Sequence, residues 1–296
     1  MSIETAPVRS APPRAVVVIS SHVVRGAVGN RAAVFALETL GFPVWAVPTV
    51  TLAWHPGHGP ATRIVAPAEQ FSALVADLGR APWLGEVGAV LSGYLGDAAQ
   101  AGAIALLVKA VKARNPKALY ICDPVIGDAG GLYVPEKTAA AIREKLVAIA
   151  DIATPNRHEL EWLAGRRLAG PDEIVKAARR LGPRAMLVTS APGMAADRIG
   201  NLLVEEAQAV LAEHRIIERP PNGLGDLTAA VYLARVLCGH SAIEALRSTT
   251  AAVYEILART AGRGGDELQL ETDAQSLIRP ASVVELRDFT LPAASA

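Results

Sequence analysis

Gly223-Leu224-Gly225-Asp226 follows the turn Pro220-Pro221-Asn222 and opens an apolar run whose spacing predicts a helix over 224–239. The first N–H groups of a helix have no partner within it, and its dipole favours negative charge there. Glycine lets an anionic group approach such backbone closely. Asp226 is therefore placed to take a proton from a substrate hydroxyl while nearby N–H groups hold charge on a phosphoryl group in transfer. The same four residues also read as a turn and an acidic helix start, which need no ligand. Further acidic residues fall in Asp123-Pro124-Val125-Ile126-Gly127-Asp128 and in Thr154-Pro155-Asn156-Arg157-His158-Glu159. Carboxylates of this kind can hold Mg²⁺ through retained waters against nucleotide phosphates. Here too a plainer reading stands beside the chemical one. It makes the first an Asp-Pro turn, and the second an Asn N-cap with Glu159 at the third helical position.

Other polar groups sit in similar places. Ser21-His22-Val23-Val24-Arg25-Gly26 runs on to Gly29-Asn30, Ser92-Gly93-Tyr94-Leu95-Gly96 forms a turn, and Thr189-Ser190 closes an apolar run. The loop 51–60 holds His55 and His58 among Pro56, Gly57 and Gly59. Two histidines with no third ligand make a poor metal site. The loop's composition predicts a lid that closes over the site and excludes water. P-loop, GxGxxG, GxSxG and HExxH patterns are all missing, so serine hydrolase and zinc protease chemistry lack their usual support.

The elements that must position these groups alternate. Short apolar runs at 15–20, 44–50, 89–96, 119–126, 151–155 and 185–190 predict strands. Amphipathic segments at 30–41, 68–79, 97–115, 135–150, 156–165 and 171–182 predict helices, followed after a β-leaning pair (199–217) by helices at 224–239 and 241–260. Repeated β-then-α units imply an α/β fold, a mostly parallel sheet covered by helices on both faces. The β-leaning pair predicts a hairpin added at a sheet edge. In such sheets ligands bind beyond the carboxyl ends of the strands, which is where every motif above falls.

Composition narrows the function classes. The 29 Lys+Arg balance 29 Asp+Glu, 51% of residues are apolar and 4% aromatic, so no global basic field exists to hold a nucleic acid. No apolar run approaches a membrane span, and no membrane partner is expected. Cys122 and Cys238 stand apart, which favours a reducing, cytoplasmic setting. Residues 1–14 read as a flexible N-terminal tail, and 15–296 as one domain.

Taken together and in order, S-H-V-V-R-G-x-V-G-N, S-G-Y-L-G, C-D-P-V-I-G-D, T-P-N-x-x-E and G-L-G-D resemble the pyridoxal kinases of the ribokinase superfamily. The resemblance spans about residues 15–280, including A-V-Y-E-I (252–256) and E-L-Q-L (267–270). It implies a ribokinase-like fold and ATP-dependent phosphorylation of the 5′-hydroxymethyl group of pyridoxal, with pyridoxine and pyridoxamine as related acceptors. It implies Asp226 as general base and Gly223 and Gly225 as an anion hole. Ser21, Val28, Leu52, His55 and Tyr94 would contact the substrate. Asp123, Asp128, Thr154, Asn156, Glu159, Thr189, Ser190 and Leu224 would lie around ATP. Mg²⁺ would sit near Asp123 and Glu159 through water, and a monovalent cation (K⁺ or Na⁺) near Thr154. A homodimer is implied as well.

Three departures from the family pattern matter. Pro56 stands where the family carries a Thr that touches substrate, and His58 is a candidate to replace that contact. The segment 215–222 is shorter than usual, so its nucleotide-base contacts do not carry over. Leu224 stands where a related branch of pyrimidine kinases has a Cys able to trap pyridoxal as a hemithioacetal. Two other readings remain open at this stage. One keeps the fold but phosphorylates a hydroxymethylpyrimidine or a sugar, and the other is a non-catalytic binder of pyridoxal phosphate or nucleotide.

Overall fold

The computed structural model describes residues 14–289. The tail expected at 1–14 therefore lies outside the described residues except for Arg14, whose Nη1 donates to Gly85 O.

The chain runs β1 (Ala15–Val23), α1 (Asn30–Thr39), β2 (Val44–Leu52), β3 (Arg63–Ile64), α2 (Ala68–Arg80), β4 (Val87–Ser92), α3 (Gln100–Arg114) and β5 (Leu119–Cys122). It continues through β6 (Gly127–Asp128), β7 (Gly131–Leu132), α4 (Glu136–Lys145), β8 (Ile152–Ala153), α5 (Arg157–Ala164), α6 (Pro171–Arg180) and β9 (Ala185–Pro192). It ends with β10 (Arg198–Glu205), β11 (Ala209–Arg215), α7 (Leu224–Leu237), α8 (Ala242–Gly262), α9 (Ala274–Ile278) and β12 (Glu285–Asp288).

One ten-stranded sheet has the order β12-β11-β10-β9-β8-β5-β4-β1-β2-β3. Neighbours from β2 across to β9 are parallel, and β9 to β12 are antiparallel. The predicted hairpin is β10–β11, and β12 pairs on its outer side. A strand buried on both faces must be apolar throughout, and β1 shows why. Its Val16 and Val18 pack into a core with α1, α7 and α8, while Val17 and Ile19 pack into a second core with α2, α3 and α4. Side chains two apart share a face, so one unbroken valine run feeds both layers. A third core lies between α5, α6 and strands β9 to β11.

Several expected elements are shorter. The strand read over 119–126 stops at Cys122, where Asp123-Pro124 turns the chain into the separate β6–β7 hairpin. That over 151–155 keeps Ile152–Ala153 alone. The helix read over 97–115 starts at Gln100, because Asp97 Oδ1 accepts from Ala99 N–H in a preceding turn. That over 135–150 ends at Lys145 and passes into a short 3₁₀ turn. Among the described residues no helix is long and apolar enough to cross a membrane.

The sheet order reverses at β1, which has β2 on one side and β4 on the other. This switch point opens a crevice at the carboxyl ends of β1 and β4. The ladder carries on past the strands there: Gly93 N–H donates to Ile19 O, Asp123 N–H to Ser92 O and Thr154 N–H to Cys122 O.

Candidate active site

The crevice is lined by Val18, Ser20, Ala33, Leu91, Gly93, Asp123, Asp226 and Ala229. A Cβ on Gly93 would lie 2.5 Å from Ser20 Oγ and 3.8 Å from Asp226 Oδ1. Glycine at 93 thus lets three strand ends and α7 meet. Ser20 Oγ then accepts from Tyr94 N–H at 3.1 Å.

Asp226 enters from the first turn of α7, behind a turn that only glycine can make. Gly223 has φ 96°, and a Cβ on it would lie 2.0 Å from Ala27 O. Gly225 differs: a Cβ there would meet nothing within 4 Å, so its backbone faces open space. Burial pushes the Asp226 carboxyl up to about 6, with N–H groups of Gly29 and of Asp226 itself pulling the other way. At neutral pH it remains ionised and basic enough to accept a proton. Leu224, the first residue of α7, packs on the core with α1 and α8.

Asp123 and Glu159 are 5% and 4% exposed, and their surroundings set their protonation. Burial first, and then the charge of Asp226, push Asp123 up to about 8, although Thr154 Oγ1 donates to its Oδ1 at 2.8 Å. Glu159 is raised too, by burial first and Asp123 second. Its Oε1 accepts from Ile126 N–H at 2.9 Å and its Oε2 from Asn156 N–H at 2.8 Å. Asn156 Oδ1 in turn accepts from His158 and Glu159 N–H, which completes a capping box on α5. The plain reading of Asn156 and Glu159 holds, and the same cap aims a buried carboxylate toward Asp123. Asn156 also bridges Thr189, whose N–H donates to Pro155 O.

On the other flank, Val28 and Leu52 share a small apolar core with Val23 and Val50, and Tyr94 packs against it. Ser21 is buried beside Gly29, where a Cβ would lie 2.3 Å from both Ser21 O and Oγ. His55 sits at the head of a 3₁₀ turn over Pro56–His58, and its Nδ1 accepts from Gly57 N–H at 3.0 Å. In the neutral ring the proton is thus on Nε2. Burial lowers the His55 pKa, Glu267 raises it and His58 lowers it, so the neutral form prevails at neutral pH.

The structure thus gathers Asp226, Asp123, Thr154 and Glu159 on one side, and Ser21, Val28, Leu52 and Tyr94 on the other. Asp128 stands beside this group, exposed on the β6–β7 hairpin, whose Gly127 O accepts from Asn156 Nδ2 at 2.8 Å, and its Oδ1 accepts from Gly130 N–H at 2.7 Å. Ser190 is exposed and holds φ 53°, a left-handed conformation rare outside glycine and found at strained functional positions. Sequence reasoning passed over Ser20 and gave Gly93, Asn222 and Glu267, though each lies in a motif or turn it named, no role in the site. The doublet Ser20-Ser21 at a strand end was the signal for the first, while Glu267 lies so far along the chain that only folding reveals it. A second cavity, about 360 Å³, lies between α1, β2 and residues 270–271. It lies outside the crevice because neither Asp226 nor Asp123 lines it. Among the described residues no three His, Cys, Asp or Glu side chains converge to hold a metal alone.

The phosphomethylpyrimidine kinase family matches residues 68–270. The chain is 41% identical over 269 residues to pyridoxal kinase PdxY of Rubrobacter xylanophilus, covering 88% of this chain and 93% of that one. It is 42% identical over 261 residues to pyridoxal kinase PdxY of Pseudomonas putida strain W619, covering 85% and 90%. Its fold is similar to pyridoxal kinase from Leishmania donovani in complex with ADP and pyridoxine, with TM-score 0.86, 27% identity and coverage of 94% and 99%. The complex of that kinase with ADP and pyridoxamine gives TM-score 0.87.

Proposed function

The chain belongs to the pyridoxal kinases, within the phosphomethylpyrimidine kinase family, and from that premise we propose how its own residues act. It is a kinase that phosphorylates B6 vitamers with ATP, the acceptor being the 5′-hydroxymethyl group of pyridoxal and its relatives. The observation that carries the site is Asp226, held by Gly223 at the start of α7 beside Gly93, Ser20 and Asp123.

Asp226 takes the proton of the acceptor hydroxyl as the oxygen attacks the γ-phosphorus. Its raised but sub-neutral pKa suits that task. Gly223 and Gly225 leave the first N–H groups of α7 open to the transferred phosphoryl group, and the open space around Gly225 supports that role. Ser21 addresses the pyridine ring, Tyr94 walls it, and Val28 and Leu52 close the apolar side. His55 presents a neutral ring with its N–H at Nε2. Thr189, Ser190, Asn156 and Leu224 line the nucleotide side, and Asp128 joins them from its hairpin.

Asp123 and Glu159 fit Mg²⁺ by their chemistry: two hard carboxylates, both buried, both with pKa raised by burial first and a neighbouring carboxylate second. Bound there through water, Mg²⁺ would neutralise charge between the phosphates. Thr154 Oγ1 spends its proton on Asp123, which leaves its lone pairs for a K⁺ or Na⁺ ion. A cytoplasmic homodimer is the location and assembly the resemblance implies, and light scattering on the purified protein tests the assembly.

An assay of ADP release with pyridoxal, pyridoxine, a hydroxymethylpyrimidine and a sugar tests the function. Pyridoxal-dependent release is expected. Transfer to another alcohol with pyridoxal untouched would replace the acceptor, and binding without turnover would return the reading to a non-catalytic binder.

A further inference from the structure

The carboxylate of Glu267 joins three stretches of chain. Its Oε1 lies 2.8 Å from His58 Nε2 and 3.6 Å from Arg25 Nη1, and its Oε2 accepts from Ala27 N–H at 3.4 Å. Gly26 makes this approach possible, for a Cβ there would lie 2.6 Å from Oε1 and its φ of +113° disfavours any other residue. The side chains of His58 and Glu267 are 26% and 12% exposed, so the pair is shielded more than an ordinary surface ion pair.

Both ends of this contact lead to the proposed site. From Glu267, Ala27 continues inward: its N–H meets the carboxylate and its carbonyl lies against Gly223. From His58, the 3₁₀ turn leads back to His55, with His58 N–H donating to His55 O at 2.9 Å and Gly59 N–H to Pro56 O at 3.0 Å. Gly57, inside that turn, packs so closely on Asn222 that a Cβ would lie 3.3 Å from Asn222 Nδ2. Asn222 is the residue before Gly223. The loop that carries His55 therefore rests on the turn that carries Asp226, and the side-chain contact fixing its far end to the body is His58 with Glu267.

We propose that His58 is a positioning residue for phosphoryl transfer, whose bond to Glu267 holds the His55 loop closed on Asn222 and the Gly223–Asp226 turn. This rests on reading that loop as the substrate side. His58 acts through His55 and the loop backbone, so its loss weakens acceptor binding more than nucleotide binding. The Glu267 carboxylate meets the loop at His58 and the turn through one residue, Ala27, which places the closed loop and the anion-holding turn in register.

The test pairs kinetics with hydrogen exchange on His58→Ala, His58→Gln and Glu267→Ala. Losing one such bond should raise KM for pyridoxal about tenfold in His58→Ala while KM for ATP stays within about twofold. The amides of residues 55 and 57–59 should exchange about tenfold faster without ligand. His58→Gln keeps an N–H donor at similar reach and should recover most of both effects. In a Glu267→Ala background, His58→Ala should add nothing further. Unchanged exchange and unchanged KM in His58→Ala overturns the proposal, as does equal damage by Gln and Ala. If the wild type leaves pyridoxal untouched, the functional reading fails instead, and exchange at 55–59 still decides whether His58 holds the loop.

Discussion

The two flanks of the crevice are held by different physics. On the nucleotide side, Asp123 and Glu159 are buried near each other, and local bonds orient them: Thr154 on Asp123, and the capping box of Asn156 on Glu159. Those bonds fix geometry, while burial first and a neighbouring carboxylate second raise both carboxyls. On the substrate side the Glu267 carboxylate has His58 and Arg25 beside it, and what counts is close approach: Gly29 on Ser21, Gly93 on Ser20, Gly223 on Ala27, and Glu267 reaching across the fold to Ala27 and His58. One flank is therefore acidic and buried, and the other is shaped by missing Cβ atoms. Binding of a nucleotide with its metal would relieve the first, while the second is ready only when distant loops are in place.

The largest expected effect tests where the flanks meet. Asp226→Asn should lower kcat by about 10³-fold, the scale of a lost general base, with the melting temperature no lower than wild type. An unchanged rate in ADP release would remove Asp226 from the chemistry.

The two glycines of its turn should then separate shape from function. Gly223→Ala meets Ala27 O and a left-handed φ, and should cost about 3 kcal/mol or more of stability, read by thermal unfolding. Gly225→Ala meets open space, so it should fold normally yet lower kcat about tenfold by crowding the approach of the phosphoryl group. Equal stability of the two variants would undo the distinction.

On the nucleotide flank, Asp123→Asn keeps an oxygen for Thr154 and removes a buried carboxyl raised to about 8. Ligand-free protein should melt about 2 °C or more higher, while KM for Mg²⁺–ATP rises. A lower melting point would mean that the carboxylate is already compensated.

The smallest effect is in pH. Asp226 is raised in the folded state from 3.8 to about 6, so its protonated form favours folding. Stability from this group is full below pH 3.8 and is lost as pH rises through about 6, while kcat/KM should fall as pH drops below about 6. Opposed slopes in unfolding and in rate over that window are the expected signature. Parallel slopes would assign the titration to another group.

Much of this was legible in the chain. The unbroken apolar run of β1 predicts a strand covered on both faces, and Asn156 with Glu159 spells a capping box because both partners lie within one helical turn. Asp226 reads as a helix start for the same reason. The shortened strands after Cys122 and Ala153 were less legible, since a proline turn and a two-residue pairing leave no periodicity to count.

The sequence by itself determined the α/β alternation, the strand-end placement of every motif and the acidic character of the nucleotide flank, because those depend on residues within a few positions of one another. Tertiary structure alone decided that Asp226 faces Asp123, that Gly223 lies on Ala27 and that His58 meets Glu267. Such contacts join residues far apart in the chain, and only the sheet order that folds β1 between β2 and β4 brings them within reach.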